Sequence, residues 1–159
     1  MIIIAYGANL PSHLGSPSET YHALPEILAK SGIHVDRASS LYETAPVPVS
    51  DQPNYMNAVM RVHTDLTPDA LMSALMDVEA ALGRIRHHAN EARGIDLDLI
   101  AYHDEVTSHE HVTLPHPRMH QRRFVLDPLL EITPDWVHPV SGKLVSELIS
   151  SLTQQNIAA

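Results

Sequence analysis

At 159 residues, 44% of them apolar, the chain has the length of one ordinary domain and enough hydrophobic side chains for a single core. It contains no cysteine, which excludes disulfides, thiolate metal sites and a cysteine nucleophile. Its formal net charge of −9 argues against nucleic acid as a partner, which would favour a basic face.

Ile2–Ile3–Ile4–Ala5–Tyr6 is a short apolar run rich in β-branched residues and predicts a buried strand ended by Gly7. This start is too short and uncharged for a signal peptide, and no apolar run nears the roughly 20 residues of a membrane span. A cytoplasmic monomer with no membrane partner is expected. Pro17 to Ser31 carries Tyr21, Leu24, Ile27 and Leu28 at helical spacing, with Ser16 or Ser18 as cap and Gly32 as stop. Ile33 to Ala38 and Leu41 to Thr44 are short strand candidates. Ala45 to Pro53 holds Pro46, Pro48 and Pro53 without a helical period and reads as a stiffened loop. Asn57 to Thr64 alternates like a strand. Thr67–Pro68–Asp69 is a helix start, a capping hydroxyl followed by proline at the first helical position. Leu71, Leu75, Val78 and Leu82 form that helix's apolar stripe, and Gly83 ends it.

Residues 84 to 94 are polar and basic, with no period. Ile95 to Tyr102 is the next strand, alternating Ile-Asp-Leu-Asp-Leu-Ile; His103–Asp104 suits a turn into a strand near Val106. Leu114–Pro115–His116–Pro117 breaks regular structure, Arg118 to Leu130 predicts a helix as far as Pro128, and a last helix runs from about Leu144 to Leu152 with a frayed tail. Interleaved strands and helices, with no repeat and no long linker, predict one domain over 1–159 of the α+β kind, a mostly antiparallel sheet with helices packed on its faces.

Asp96–Leu97–Asp98 carries the most chemistry. Period two puts both carboxylates on one face of the strand while Leu97 and Leu99 point into the core. Two hard oxygen ligands on a rigid strand suit Mg²⁺, which keeps several waters and completes its shell with substrate phosphates; the plainer alternative is a polar face of an edge strand. Asp is disfavoured in strands, so two of them amid Ile and Leu need a reason. Six of the ten Lys and Arg fall in two windows, Arg84, Arg86 and Arg93, then Arg118, Arg122 and Arg123. They form either a clamp for a compact anion such as polyphosphate or two solvated loop faces. Among the twelve histidines, His116 and His120 have a metal-helix spacing and His109 and His111 a strand spacing. Pro117 argues against a regular helix at the first pair, so polar or phosphate contacts are favoured for His116 over zinc.

In order and at matching spacing, these segments resemble the 6-hydroxymethyl-7,8-dihydropterin pyrophosphokinase family over almost the whole chain. The likeness lies in Gly7–Ala8–Asn9–Leu10, Leu41–Tyr42–Glu43–Thr44–Ala45–Pro46, Asp51–Gln52–Pro53–Asn54–Tyr55–Met56–Asn57, Val78–Glu79, Gly83–Arg84–Ile85–Arg86, Arg93–Gly94–Ile95–Asp96–Leu97–Asp98–Leu99, Leu114–Pro115–His116–Pro117–Arg118–Met119 and Arg122–Arg123–Phe124–Val125–Leu126–Asp127–Pro128–Leu129. The resemblance implies a ferredoxin-like fold and transfer of pyrophosphate from ATP to a hydroxymethyl pterin with release of AMP. Asp96 and Asp98 would bind two Mg²⁺ ions. Tyr55 and Phe124 would stack on the pterin, with Asn57 and backbone near Thr44 and Val47 on its edge. Arg84, Arg86, Arg93, His116 and Arg122 would contact phosphates, with Arg84 and Arg93 in the catalytic set. Glu79 would lie beside the nucleotide, and Leu99 and Thr113 would line its adenosine side.

The chain departs from the family pattern in a 87–92 segment without tryptophan, His87–His88–Ala89–Asn90–Glu91–Ala92, and at Ala8, Met76 and His111. These positions bear on the nucleotide side, so a pterin- or nucleotide-binding relative without turnover is the first alternative. A metal-dependent phosphohydrolase built on Asp96, Asp98 and the histidines is the second.

Overall fold

The structure, a computed structural model, describes residues 1–46, 50–83, 95–108 and 111–158, with side chains as far as 152. Its central sheet is antiparallel, in the order β2 (His34–Ala38), β4 (Tyr55–His63), β1 (Ile2–Ala8), β5 (Asp96–Tyr102), and β3 (Tyr42–Thr44) pairs with the other end of β4. Helix α1 (Pro17–Lys30) links β1 to β2, and α2 (Pro68–Ala81) lies between β4 and β5 in the chain. Two strand–helix–strand halves interleaved in this order are the ferredoxin-like arrangement. The α+β expectation is met.

Helix α1 starts where Ser16 and Glu19 cap each other's backbone N–H groups, so of the two serines offered by the sequence Ser16 is the cap. Thr67 accepts from the Ala70 N–H and opens α2, and Gly83, at φ 93°, turns the chain out of it. Both helices cover one face of the sheet. Leu24, Leu28, Leu71, Leu75 and Val78 pack there on Ile2, Ile4, Tyr6, Met60, Val62, Leu97 and Leu99. Full burial of each such large side chain contributes on the order of 1.5–3 kcal/mol.

The opposite face is covered by α3 (Arg123–Ile132) and α4 (Val145–Ala158), through Val125, Leu126, Leu129, Ile132, Val145 and Leu148 against Ile3, Ala5, Val59, Ile100 and Ala101. A short 3-10 turn (Met119–Gln121) leads into α3. A two-stranded ribbon of β6 (Thr107–Ser108) and β7 (Thr113–Leu114) lies beside β5.

Two expectations need correction. Helix α3 begins five residues later than Arg118 and runs through Pro128 to Ile132, because the apolar face that includes Pro128 is buried and the packing outweighs one missing N–H. Strand β1 does not end at Gly7 but continues to Ala8, with Gly7 paired on both sides.

Two irregularities position the functional end of the sheet. Along β1 and β5, Ile3 faces Ala101 and Ile4 faces Leu99, leaving Ile100 unmatched as a bulge. The bulge puts Ile100 and Ala101 on the same face and returns Tyr102 to the face of Leu97 and Leu99. Between β2 and β3, Ser39 donates its N–H to the Val59 carbonyl, while its hydroxyl accepts from the Val59 N–H in place of a backbone carbonyl. The freed Ser39 carbonyl is taken by the Tyr21 hydroxyl at 2.8 Å. The backbone groups of Ser39 and Val59 are thereby all paired, and β3 continues along β4 towards Tyr55.

Candidate active site

The second-face core stops at Ala5 and Val59. One row further along the strands, the same face carries Asn57 on β4, Gly7 on β1 and Asp96 on β5, in direct register. Tyr42 faces Asn57 from β3, and Thr44 faces Tyr55. Asp98 stands in the Ala5 row on the same side as Asp96, since Leu97 between them is buried in the first core. Alternation thus delivers the carboxylate pair to one face, both half-buried.

β5 ends the sheet order, and its backbone is held by groups outside the sheet. The N–H of Leu97, between the two aspartates, donates to Glu79 Oε1 at 2.7 Å. Glu79 is only 3% exposed and comes up from α2 on the first face. The carbonyl of the bulged Ile100 accepts from the His116 N–H at 2.9 Å, which ties the 115–118 segment to this strand.

His116 Nδ1 accepts from the Arg118 N–H at 3.1 Å, leaving Nε2 to carry the proton of the neutral ring. Burial, then the positive charges of Arg122 and Arg118, push its pKa down to about 4, against an opposing pull from Asp96. His116 is therefore a neutral donor at ordinary pH, near enough to Arg122, Arg118 and Asp96 to feel the charge of each.

Asn57 is 6% exposed. Its Nδ2 donates to Thr44 Oγ1 at 2.7 Å, and no protein hydrogen bond among the described residues reaches its Oδ1. A buried acceptor left open is costly unless a ligand fills it. Phe124, the only phenylalanine, is 39% exposed at the start of α3 instead of in the core. The Arg122 guanidinium lies over its ring at 5.5 Å from the centroid. Helix α3 packs on β3 and β4, and the half-buried Tyr55, which opens β4, lies on the same sheet face as Asn57.

Leu99 is buried in the first core, so its side chain is on the far side of β5 from Asp98. Thr113 is exposed on β7, beside β5. Arg84, Arg86, Arg93 and Val47 lie outside the described residues. Sequence reasoning missed two positions. Asn9 is buried and its Nδ2 donates to Gln52 Oε1 and the Pro53 carbonyl, fastening the loop that leads into Tyr55. Gly7, the last residue but one of β1, lies between Asn57 and Asp96. A glycine inside an apolar strand pattern signals a close approach, and that was the available clue.

Among the described residues, no group of three or more His, Cys, Asp or Glu side chains converges to hold a metal by itself. Two strand carboxylates fit an ion that takes most of its shell from water and phosphate oxygens, as Mg²⁺ does, and do not make a protein-only zinc site. No helix among the described residues is long and apolar enough to cross a membrane.

A family model described as 7,8-dihydro-6-hydroxymethylpterin-pyrophosphokinase matches residues 3–134. The chain is 38% identical over 157 residues to the 2-amino-4-hydroxy-6-hydroxymethyldihydropteridine pyrophosphokinase of Haemophilus influenzae, a match covering 98% of this chain and 97% of that protein. It is 38% identical over 135 residues to the protein of the same name in Methylorubrum extorquens, with 85% of this chain and 84% of that protein covered. The folic acid synthesis protein fol1 of Pneumocystis carinii is 37% identical over 149 residues, 94% of this chain, which spans 20% of that longer protein.

Proposed function

The chain belongs to the 7,8-dihydro-6-hydroxymethylpterin-pyrophosphokinase family, and from that premise we propose that it transfers pyrophosphate from ATP to 6-hydroxymethyl-7,8-dihydropterin, giving AMP and the pterin diphosphate in folate synthesis. The observation that carries this reading is the buried Asn57, whose Oδ1 accepts from no described residue, one strand spacing from Gly7 and two from Asp96.

Asn57 and Thr44 act on the polar edge of the pterin, with backbone near Val47. Tyr55 and Phe124 offer aromatic faces to its flat ring, the geometry in which such rings attract. Asp96 and Asp98 would hold two Mg²⁺ ions, which supply charge neutralisation between the triphosphate and the acceptor hydroxyl. His116, neutral with its Nε2–H available, donates to a phosphate oxygen without adding a buried charge, and Arg122 supplies positive charge beside it. Arg84, Arg86 and Arg93 complete the phosphate contacts, and Glu79, Leu99 and Thr113 belong to the nucleotide side. The acceptor hydroxyl oxygen bonds to the β-phosphorus as the bond from that phosphorus to the AMP oxygen breaks, and the hydroxyl proton passes to solvent. Such a transfer needs positioning and electrostatics more than a covalent partner, so the absence of cysteine is no obstacle. We place the protein in the cytoplasm as a monomer.

The test is AMP release from ATP by purified protein with Mg²⁺, with and without the hydroxymethyl pterin. AMP formed only with the pterin is expected. Pterin binding without AMP points to the non-catalytic relative, and nucleotide hydrolysis without pterin to the phosphohydrolase.

A further inference from the structure

Gly7 lies in regular strand pairing, facing Asn57 on one side and Asp96 on the other. Its φ is outside the positive range that favours glycine, so its backbone could carry any side chain. Glycine inside a strand is nonetheless unfavourable, because it loses more chain freedom on folding and packs nothing. The other β1 residues on this face, Ile3 and Ala5, both contribute side chains to the second core. What distinguishes position 7 is the space above it. A Cβ there would come within 3.3 Å of Asn57 Oδ1 and, beyond its chain neighbours, would meet no other atom of the described residues within 4 Å. Among the described residues, the group a methyl would crowd is the buried Asn57 acceptor, to which none of them donates.

We propose that Gly7 is a specificity-determining position: its missing side chain leaves a slot in the sheet face through which a flat heteroaromatic acceptor lies against the backbone between Asn57 and Asp96. The spacing suits such a ligand. Adjacent strands are about 4.8 Å apart, so Asn57 and Asp96 are separated by roughly 10 Å, the span of a fused bicyclic ring with a one-carbon arm. One end of the ligand meets an amide oxygen and the other a carboxylate pair. Between them the ring edge meets peptide backbone, which tolerates no substituent on that edge. The inference rests on the pterin reading above and deepens it by naming what sets the shape of the acceptor.

The experiment compares Gly7→Ala and Gly7→Val with the unaltered protein in three measurements: equilibrium binding of the hydroxymethyl pterin, equilibrium binding of Mg·ATP, and the urea midpoint. Crowding by one methyl in a packed site predicts about tenfold weaker pterin binding for Gly7→Ala, and more for Gly7→Val. The KM for the pterin rises more than kcat falls. Mg·ATP binding stays within about twofold and the urea midpoint is unchanged or higher, since Ala and Val both suit a strand better than Gly. Pterin binding within about twofold of the unaltered protein overturns the inference. So does a parallel loss of both ligands with a lowered midpoint, which marks a purely structural glycine. If the unaltered protein itself makes no AMP with the pterin, the functional reading fails instead, so the two failures are separable.

Discussion

Removing the Glu79 carboxylate tests how the aspartate pair is held. In Glu79→Ala the Leu97 N–H loses its acceptor at 2.7 Å, at a position where Glu79 itself is 3% exposed and water cannot easily replace it. A buried donor left unsatisfied costs about 1–3 kcal/mol. Two lost side-chain carbons beyond Cβ add on the order of 1 kcal/mol more, so a total of about 2–4 kcal/mol is expected. With a urea m-value of about 1–3 kcal/mol/M, this lowers the unfolding midpoint by roughly 0.7–4 M. Glu79→Gln keeps an oxygen acceptor and should lose less than about half of that. Because Leu97 separates Asp96 from Asp98, loosening its peptide displaces both carboxylates. Glu79→Ala should therefore need more Mg²⁺ for half-maximal turnover, even where it is fully folded, and Glu79→Gln should stay near the unaltered curve. The assays are urea unfolding and a Mg²⁺ titration of AMP formation. An unchanged midpoint and an unchanged Mg²⁺ curve in Glu79→Ala would refute the tether.

Asp98→Ala should lower turnover about a hundredfold or more while shifting stability by less than about 1 kcal/mol, because a half-buried ligand and not a core group is removed; retained AMP formation would contradict the metal role. Phe124→Ala should weaken pterin binding about tenfold and leave ATP binding nearly unchanged, since the ring is 39% exposed and holds up little of the core; calorimetry on each ligand decides. Stability should fall as the pH drops from about 6.5, the ordinary histidine value, towards 4. In that window the unfolded chain binds a proton that native His116, with its pKa near 4, refuses, so the stabilisation present above pH 6.5 is progressively lost. His116→Asn should flatten the urea midpoint against pH there, and an unchanged slope would count against the assignment.

The elements that could be read from the chain were those whose signals are local. The Ser16 and Thr67 caps, the α2 stripe and the Asp-Leu-Asp alternation each depend on neighbours a few residues away. What could not be read depends on partners far along the chain. Glu79 sits on a helix pattern that gives no hint of an acceptor for a strand N–H 18 positions on. Ser39 looks like a loop residue until Val59 and Tyr21 are beside it. The helix stop placed at Pro128 fails because a local rule, the missing N–H, is overridden by burial of the surrounding face. Phe124 shows the reverse: composition alone favours a core role, and only the fold shows it turned outward under Arg122.

The unmatched Ile100 also acts as a key for alignment. A strand with strict alternation can slide by two residues along its neighbour and still keep every side chain on the correct side. β5 cannot do so against β1, because its extra residue must fall between the partners of Ile3 and Ile4, where the carbonyl it exposes meets the His116 N–H. The irregularity in the apolar half thereby dictates which residues of the acidic half end up level with Gly7 and Asn57.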